Sequence, residues 1–167
     1  GQFDLAIQDF DKALTLNHGS YEAYNFRGMV YKKLGRFDRA VGDYDRAIAL
    51  NPAYPEAYFN RAVAYEKLGR FNEAVEEYNR AIALNPAYYE AYNNLGVFYG
   101  QAGNIAKAIE QFSKAIQLNQ SHATTYLNRG ILYMRTGDKE RARSDFQRAC
   151  DLGNGNGCKA LQDSLPH

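Results

Sequence analysis

The chain has 167 residues, with 20 Lys and Arg against 19 Asp and Glu, so its net charge is +1. This balance argues against binding to nucleic acid or anionic membranes, which usually requires a clear basic excess. The lack of any apolar run of about 18 residues excludes a transmembrane helix, and two cysteines are too few for a disulfide-rich mini-protein.

The sequence repeats itself at a fixed interval. Tyrosine, glycine and alanine columns follow one spacing: Tyr24, Tyr58, Tyr92 and Tyr126; Gly35, Gly69, Gly103 and Gly137; Ala40, Ala74, Ala108 and Ala142. Self-similarity at a fixed period of this size is typical of stacked repeat proteins. A single repeat cannot bury its apolar face alone, so neighbouring units are expected to stack.

In chain order, the pattern predicts the second helix of a repeat at 1–20, four repeats at 21–54, 55–88, 89–122 and 123–152, and a tail at 153–167. Each repeat is predicted to form two helices. In the unit 55–88, Tyr58, Ala62 and Tyr65 share one face of the first helix. Gly69 predicts where that helix ends, and Pro86 predicts the end of the second, because the residue before a proline is pushed out of the helical region.

These motifs match a known family. The tetratricopeptide repeat is a unit of about 34 residues with the pattern aromatic-x2-L-G-x2-Y…A-x3-F…P. The third unit reads Tyr92-x2-Leu95-Gly96-x2-Tyr99…Ala108-x3-Phe112, and the other three units follow the same register. The chain therefore resembles this family from residue 1 to about residue 152. The resemblance implies an all-α fold, an α-solenoid of antiparallel helix pairs in a right-handed superhelix.

Arginine replaces the usual leucine of this pattern in three of the four units, at Arg27, Arg61 and Arg129. These positions lie on the face predicted to point toward the core. We expect the aliphatic stems to pack there while the guanidinium groups reach the solvent edge.

The resemblance also implies that one face of each first helix lines a concave groove that binds peptides. In this chain that face contains Asn25, Met29, Lys33, Phe59, Asn60, Val63, Lys67, Asn93, Asn94, Val97, Gln101, Leu127, Asn128, Ile131 and Arg135. Asn60, Asn94 and Asn128 recur at the repeat interval, and a side-chain amide can both donate to and accept from an extended main chain. Bonding to the neighbouring helix is an equally good interpretation.

Other side chains on this face indicate what a ligand would meet. The row Met29, Val63, Val97 and Ile131 is apolar and typical of packing between repeats. Phe59 and Leu127 are better candidates for pocket walls, because they are bulky where Asn25 and Asn93 are polar. Lys33, Lys67 and Arg135 give the face a partly positive character, which is compatible with an acidic peptide without requiring one. The Lys and Asn pattern of chaperone-tail clamps is not matched.

The predicted first helix keeps apolar residues, Phe3 and Ile7, where the last repeat has Lys139 and Arg143. A terminal repeat usually turns polar on its uncovered face. The pattern favours an N-terminal end that has been cut and predicts Phe3 and Ile7 as a self-association surface. A natural first helix that packs on one side is the alternative.

The tail begins with a glycine-rich stretch at 153–157 that is predicted to be a turn. A short capping helix through Cys158, Leu161 and Leu165 is predicted to follow and cover the last repeat. The Cys150-x7-Cys158 segment resembles Sel1-like, cysteine-rich repeat proteins, and this resemblance implies a disulfide between adjacent helices. Such a bond would indicate a periplasmic or exported protein. Two buried thiols in a cytoplasmic protein are the alternative.

Catalytic motifs are not apparent. The three histidines, His18, His122 and His167, form no nucleophile–base arrangement, and no ligand spacing for zinc is present. We expect no enzyme activity, cofactor or metal. The predicted function is a scaffold that binds a protein or peptide in the groove. Self-assembly into a homo-oligomer is the alternative, and helical-repeat RNA binding is a remote one that the apolar groove row argues against.

Overall fold

A computed structural model describes residues 1–164, and all regular structure in this range is helical. The predicted all-α fold is thereby confirmed. The helices of this range are α1 (Gln2–Leu16), α2 (Tyr21–Lys33), α3 (Phe37–Leu50), α4 (Pro55–Lys67), α5 (Phe71–Leu84), α6 (Tyr89–Gln101), α7 (Ile105–Leu118), α8 (Ala123–Arg135), α9 (Lys139–Asp151) and α10 (Gly155–Asp163). Over residues 1–164, no helix combines the length and the apolar character that a bilayer span requires. Leu165 and His167 lie outside the described residues.

The chain divides into two compact units, Gly1–Pro86 and Ala87–His167. In unit 1, α2 pairs with α3 and α4 pairs with α5, while α1 packs on α2 and α3 packs on α4. In unit 2, α6 pairs with α7 and α8 with α9, and α10 packs mainly on α9. The short connections make each pair an antiparallel hairpin. In each unit the first helices of consecutive hairpins, α2 with α4 and α6 with α8, also contact each other.

In three hairpins the two helices approach closely because a glycine on the first helix faces an aromatic ring on the second. The pairs are Gly28 with Tyr44, Gly96 with Phe112, and Gly130 with Phe146. A Cβ atom built on these glycines would lie only 2.6–2.7 Å from a ring carbon. The rings themselves are fully or almost fully buried. In these three hairpins the ring therefore occupies space that a side chain on the first helix would fill, whereas the α4–α5 hairpin has Ala62 at the equivalent position.

Gly69 ends α4 as the sequence predicts. Its φ of 75° lies in the left-handed region, which glycine adopts without steric cost. The amide of Gly69 donates to the Glu66 carbonyl at 3.0 Å, and the amide of Arg70 donates to the Tyr65 carbonyl at 2.9 Å. These two bonds satisfy carbonyls that the helix end leaves unpaired. The same left-handed glycine recurs at residues 35, 103, 137 and 153.

The side chains of the three core-facing arginines are only 14–19% exposed. Each guanidinium also binds a buried carboxylate on the second helix of its own hairpin, which the sequence analysis did not predict. The pairs are Arg27 with Asp43, Arg61 with Glu77, and Arg129 with Asp145. In the last pair, Nε and Nη2 of Arg129 each donate to one carboxylate oxygen at 2.8 Å. This bidentate geometry is the strong form of the arginine–carboxylate bond, and it raises the pKa of Arg129.

Each of these arginines also reaches the preceding hairpin or helix. Nη1 of Arg27 donates to Asp11, and Nη1 of Arg61 donates to Asp45, both at 2.6 Å. Nη1 of Arg129 donates to the Ser113 hydroxyl at 2.9 Å. One side chain therefore ties together three consecutive helices.

The third repeat lacks this arginine and the acid together. Leu95 occupies the arginine position and is almost completely buried. Gln111 occupies the position on the second helix that holds Asp43, Glu77 and Asp145 in the other repeats. The two substitutions accompany each other, because a buried carboxylate without its arginine would be costly.

Of the glycine-rich stretch predicted to be a turn, Gly153 and Asn154 separate α9 from α10, whereas residues 155–157 form the start of α10. Asn154 caps this helix, and its side chain accepts a hydrogen bond from the Gly157 amide at 3.0 Å. Gly157 is buried, and a Cβ there would lie 2.6 Å from Cβ of Ala149 and 3.1 Å from the Cys150 backbone nitrogen. The glycine therefore lets α10 approach the α9 backbone. The break between the two helices is formed by Gly153, whose φ is 84°.

Cys150 on α9 and Cys158 on α10 form a disulfide, with their Cα atoms 4.5 Å apart. The bond joins the two helices at the point where Gly157 allows their close contact. Ala160 and Leu161 of α10 pack against the cluster formed by Tyr133, Ala142 and Phe146. The capping helix therefore covers the end of the last hairpin.

The Arg129–Asp145 pair generates a double-variant prediction. Arg129→Leu leaves the buried Asp145 carboxylate without its arginine and should lower the free energy of unfolding by about 3–5 kcal/mol. The double variant Arg129→Leu/Asp145→Gln copies Leu95 and Gln111 and should recover most of that loss. Urea unfolding followed by circular dichroism measures both. If the double variant is as unstable as the single one, the unpaired Asp145 carboxylate is not the cause of the lost stability.

Two glycines of α10 should respond in opposite directions to alanine. Gly157→Ala places a Cβ against backbone atoms of α9 and should destabilise the protein by about 1–3 kcal/mol. Gly155→Ala is the matched control, because no atom of residues 1–164 lies within 4 Å of its Cβ position. It should stabilise the protein by up to about 1 kcal/mol through helix propensity. Thermal unfolding without reductant gives the Tm of each variant. Changes in Tm of the same sign for both variants would contradict the packing argument.

Candidate functional site

The predicted groove residues lie on α2 and α4 in unit 1 and on α6 and α8 in unit 2. We call these surfaces the first-helix faces. In unit 1, Asn25 and Asn60 are buried, Phe59 and Val63 are half-buried, and Met29, Lys33 and Lys67 are exposed or partly exposed. In unit 2, Asn93, Asn94, Val97, Leu127 and Asn128 are half-buried, and Gln101, Ile131 and Arg135 are exposed.

In unit 1 the asparagines bond to each other across neighbouring helices. Nδ2 of Asn60 donates to Oδ1 of Asn25 at 3.1 Å, and Nδ2 of Asn25 donates to the Tyr54 hydroxyl at 3.2 Å. Nζ of Lys32 donates to Oδ1 of Asn60 at 2.9 Å. Burial lowers the pKa of Lys32, and the charge of Lys33 lowers it further. Of the two interpretations given above for Asn60, this geometry matches bonding between helices.

Phe59 and Glu66 also lie on the α4 part of the unit 1 face. The Phe59 ring lies 5.6 Å from the ring of Tyr78, centroid to centroid, in a tilted arrangement. Burial raises the pKa of Glu66, and this rise is opposed by a hydrogen bond with Tyr78. Phe59 therefore contacts the buried ring of its own hairpin.

The unit 2 face contains a second amide network, built differently. Nδ2 of Asn93 donates to Oδ1 of Asn94 at 3.2 Å, and the Thr125 hydroxyl donates to Oδ1 of Asn93 at 2.9 Å. Nδ1 of His122 lies 2.6 Å from the same hydroxyl. Thr125 occupies a column that holds Ala23, Ala57 and Ala91 in the other repeats. Its hydroxyl gives Asn93 a partner on α8 that an alanine could not provide.

Unit 2 also contains an open pocket between α6 and α8, which we call the α6–α8 pocket. Its volume is about 190 Å³. It brings together five of the predicted residues, Val97, Gln101, Asn128, Ile131 and Arg135. The remaining walls are Gly96, Gly100, Phe112 and Leu132, which sequence reasoning missed. The sequence itself marks Gly100 as unusual, because the equivalent positions of the other repeats hold the long side chains Lys32, Glu66 and Met134.

Asn128 differs from Asn60 although both occupy the same column. Its amide has no hydrogen bond to any residue within 1–164, and it lines the α6–α8 pocket. Leu127, its neighbour, packs instead against the Tyr133, Ala142 and Phe146 cluster. The pocket is therefore apolar at its floor and carries at its edge an amide with no protein partner among residues 1–164.

The two residues predicted for self-association differ in exposure. Phe3 is 48% exposed, whereas Ile7 is only 9% exposed and belongs to the core of unit 1. Ile7 is therefore not available to a second chain as expected, because it packs within its own unit. Leu5, which sequence reasoning did not single out, is 62% exposed on the same helix.

Across residues 1–164, no group of three or more His, Cys, Asp or Glu side chains could hold a metal ion. His18 lies against the Leu14 carbonyl and His122 against Thr125. Both histidines are therefore engaged in local contacts at the turns between helices.

Family models match most of the chain. The model for the TPR repeat matches residues 28–69 and 67–103. Two models for the tetratricopeptide repeat match residues 89–122 and 123–156. A comparison with curated protein sequences gave no match.

Several solved structures share this fold. MamA is 28% identical with a TM-score of 0.81, over 95% of this chain and 92% of that one. YrrB, described as a TPR protein with an unusual peptide-binding site, is 23% identical with a TM-score of 0.74, over 97% and 83%. PilF of Pseudomonas aeruginosa is 21% identical with a TM-score of 0.79, over 87% and 67%. The last two likenesses concern the fold alone. With its periodic helical hairpins and these family matches, the chain belongs to the tetratricopeptide repeat family.

Proposed function

We propose that the chain is a non-enzymatic scaffold that binds an extended segment of a partner protein on the first-helix face of unit 2. Membership of the tetratricopeptide repeat family supports a protein-interaction scaffold. The α6–α8 pocket is the observation that favours this face, because it places an amide without a protein partner in residues 1–164 beside an apolar cavity. An extended peptide has unpaired backbone groups and projecting side chains, so it can use both features.

The amide networks argue for unit 2 over unit 1 as the ligand surface. Asn25 and Asn60 already satisfy each other, Lys32 and Tyr54. A ligand would have to break these bonds before it could use them, and the exchange would bring little net free energy. Asn128 has no such bond to lose within residues 1–164.

Paired alanine variants test this assignment. The probe is a capped peptide selected from a random display library on the immobilised full chain. Asn128→Ala should weaken its binding about two- to tenfold, the loss of one hydrogen bond, with little change in stability. Asn60→Ala should leave binding unchanged, while the free energy of unfolding falls by about 1–3 kcal/mol because its partners become unsatisfied. Fluorescence polarisation and urea unfolding measure the two effects.

Two results would contradict the proposed site. One is a selection that enriches no peptide. The other is a selected peptide that Asn60→Ala weakens and Asn128→Ala does not, which would move the ligand to unit 1.

Self-association through α1 is a second candidate function, favoured by the exposure of Phe3 and Leu5. Light scattering over a dilution series should then show a dimer that forms with increasing concentration, with or without reductant. Phe3→Glu should abolish it. Leu16→Glu is the matched control, because Leu16 is 89% exposed at the other end of α1. A monomer at every concentration would exclude this function.

A further inference from the structure

The α6–α8 pocket depends on two residues of the third repeat. Gly100 stands where the other repeats have Lys32, Glu66 and Met134, so no side chain from this position enters the space. Phe112, like Phe146 of the fourth repeat, lacks the hydroxyl group that Tyr44 and Tyr78 carry, so the floor is apolar. In the second repeat, Glu66 and Tyr78 interact with each other at the same place. The third repeat has removed both polar groups.

The same glycine leaves Asn128 without a protein partner among the described residues. In unit 1, Lys32 reaches across from α2 and donates to Asn60. Gly100 is the equivalent of Lys32, and it has no side chain to offer Asn128. The equivalent of Asn25 is Asn93, which is bound by Thr125 and Asn94 instead. Two departures from the repeat, Gly100 and Thr125, thus leave one open amide.

Arg135 supplies the single charge among the described residues that line this pocket. It is exposed, and it forms no ion pair with any residue in 1–164. This distinguishes it from Arg27, Arg61 and Arg129, whose guanidinium groups are occupied by carboxylates. None of the described lining residues is acidic. The local charge is therefore positive and uncompensated.

We propose, as a refinement that rests on the proposed function, that the α6–α8 pocket binds an aliphatic side chain of an extended peptide that carries a carboxylate side chain within two residues. An apolar cavity of about 150 Å³ accommodates a benzene-sized group, so about 190 Å³ accommodates one aliphatic side chain. Asn128 bonds the peptide backbone beside this anchor, and Arg135 pairs with the carboxylate.

The spacing follows from the geometry of α8. Asn128 and Arg135 lie two helical turns apart, which corresponds to about 10 Å at a rise of about 1.5 Å per residue. Ile131 and Leu132 of the pocket lie between them. An extended peptide advances about 3.3 Å per residue. A carboxylate one or two residues from the anchor is thus within reach of Arg135.

The test is a peptide-display selection on the full chain, followed by affinity measurements on the selected peptides with acetylated and amidated ends. We expect enrichment of Leu, Ile or Met with Asp or Glu within two positions. Gly100→Met copies Met134 and fills the pocket, and it should weaken the selected peptide about tenfold or more, the effect of losing one buried aliphatic side chain. Ordinary contacts of 3.6–3.8 Å surround a Cβ at this position, so the variant should fold.

A charge reversal tests the carboxylate separately. Arg135→Glu should weaken the acidic peptide about three- to fivefold, as expected for an exposed ion pair, and a repeated selection should favour Lys or Arg beside the same aliphatic residue. Arg148→Glu is the control of equal charge change, because Arg148 is an exposed residue of α9 outside the pocket. It should change neither affinity nor preference.

The outcomes separate this inference from the proposed function. Peptides that bind unit 2 and depend on Asn128, but show no aliphatic–acidic preference and ignore Gly100→Met, overturn the inference alone. Peptides that require a free C-terminal carboxylate also overturn it, since the capped peptides would not bind. Failure to enrich any peptide overturns the proposed function, and the inference with it.

Discussion

The close contact between an aromatic ring and a glycine determines how three of the four hairpins are built. With Gly96 against Phe112, or Gly130 against Phe146, the first helix lies so near the second that even a methyl group would collide with the ring. This contact sets the helix spacing, and the spacing decides which other side chains can meet. Arg129 reaches Asp145 with both nitrogen donors because the two helices are held at this distance. The glycine–ring packing therefore determines the helix spacing, and the spacing determines which polar side chains can bond to each other.

The hairpins could be predicted from the sequence because their determinants are local and recur in every repeat. Tyr58, Ala62 and Tyr65 fix a helix face, and Gly69 fixes its end through a conformation that other residues rarely adopt. The paired arginines were misjudged because each was considered alone, on its own helix. The signal was present on the second helix of each hairpin, where Asp43, Glu77 and Asp145 accompany the arginines and Gln111 accompanies Leu95. A composition rule for turns likewise placed the start of the capping helix too late, because Gly157 lies inside α10, where it is needed for contact with α9.

The candidate site could be predicted only as a face, and the reason is physical. The helical period decides which residues point outward, so Val97, Gln101, Asn128, Ile131 and Arg135 were grouped correctly with the pocket. Whether an amide is open to a ligand depends on its neighbours on another helix. Asn60 and Asn128 share a column, yet Lys32 occupies the first and Gly100 leaves the second open. Such a difference depends on which residues face each other on consecutive first helices. Comparing one equivalent position across the repeats does not reveal these pairs.

In a repeat protein, residues that follow the repeat account for the fold, and residues that depart from it are the better guide to function. Any repeat with the common residues would pack equally well, so packing alone does not require Gly100 or Thr125 to differ from their columns. Gly100 lowers helix propensity relative to the side chains found in the other repeats, and Thr125 places a hydroxyl group among buried residues. Substitutions of this kind add little to a helical stack by themselves. Their position beside Asn128 and one apolar cavity is the physical ground for the proposal that unit 2 binds the ligand.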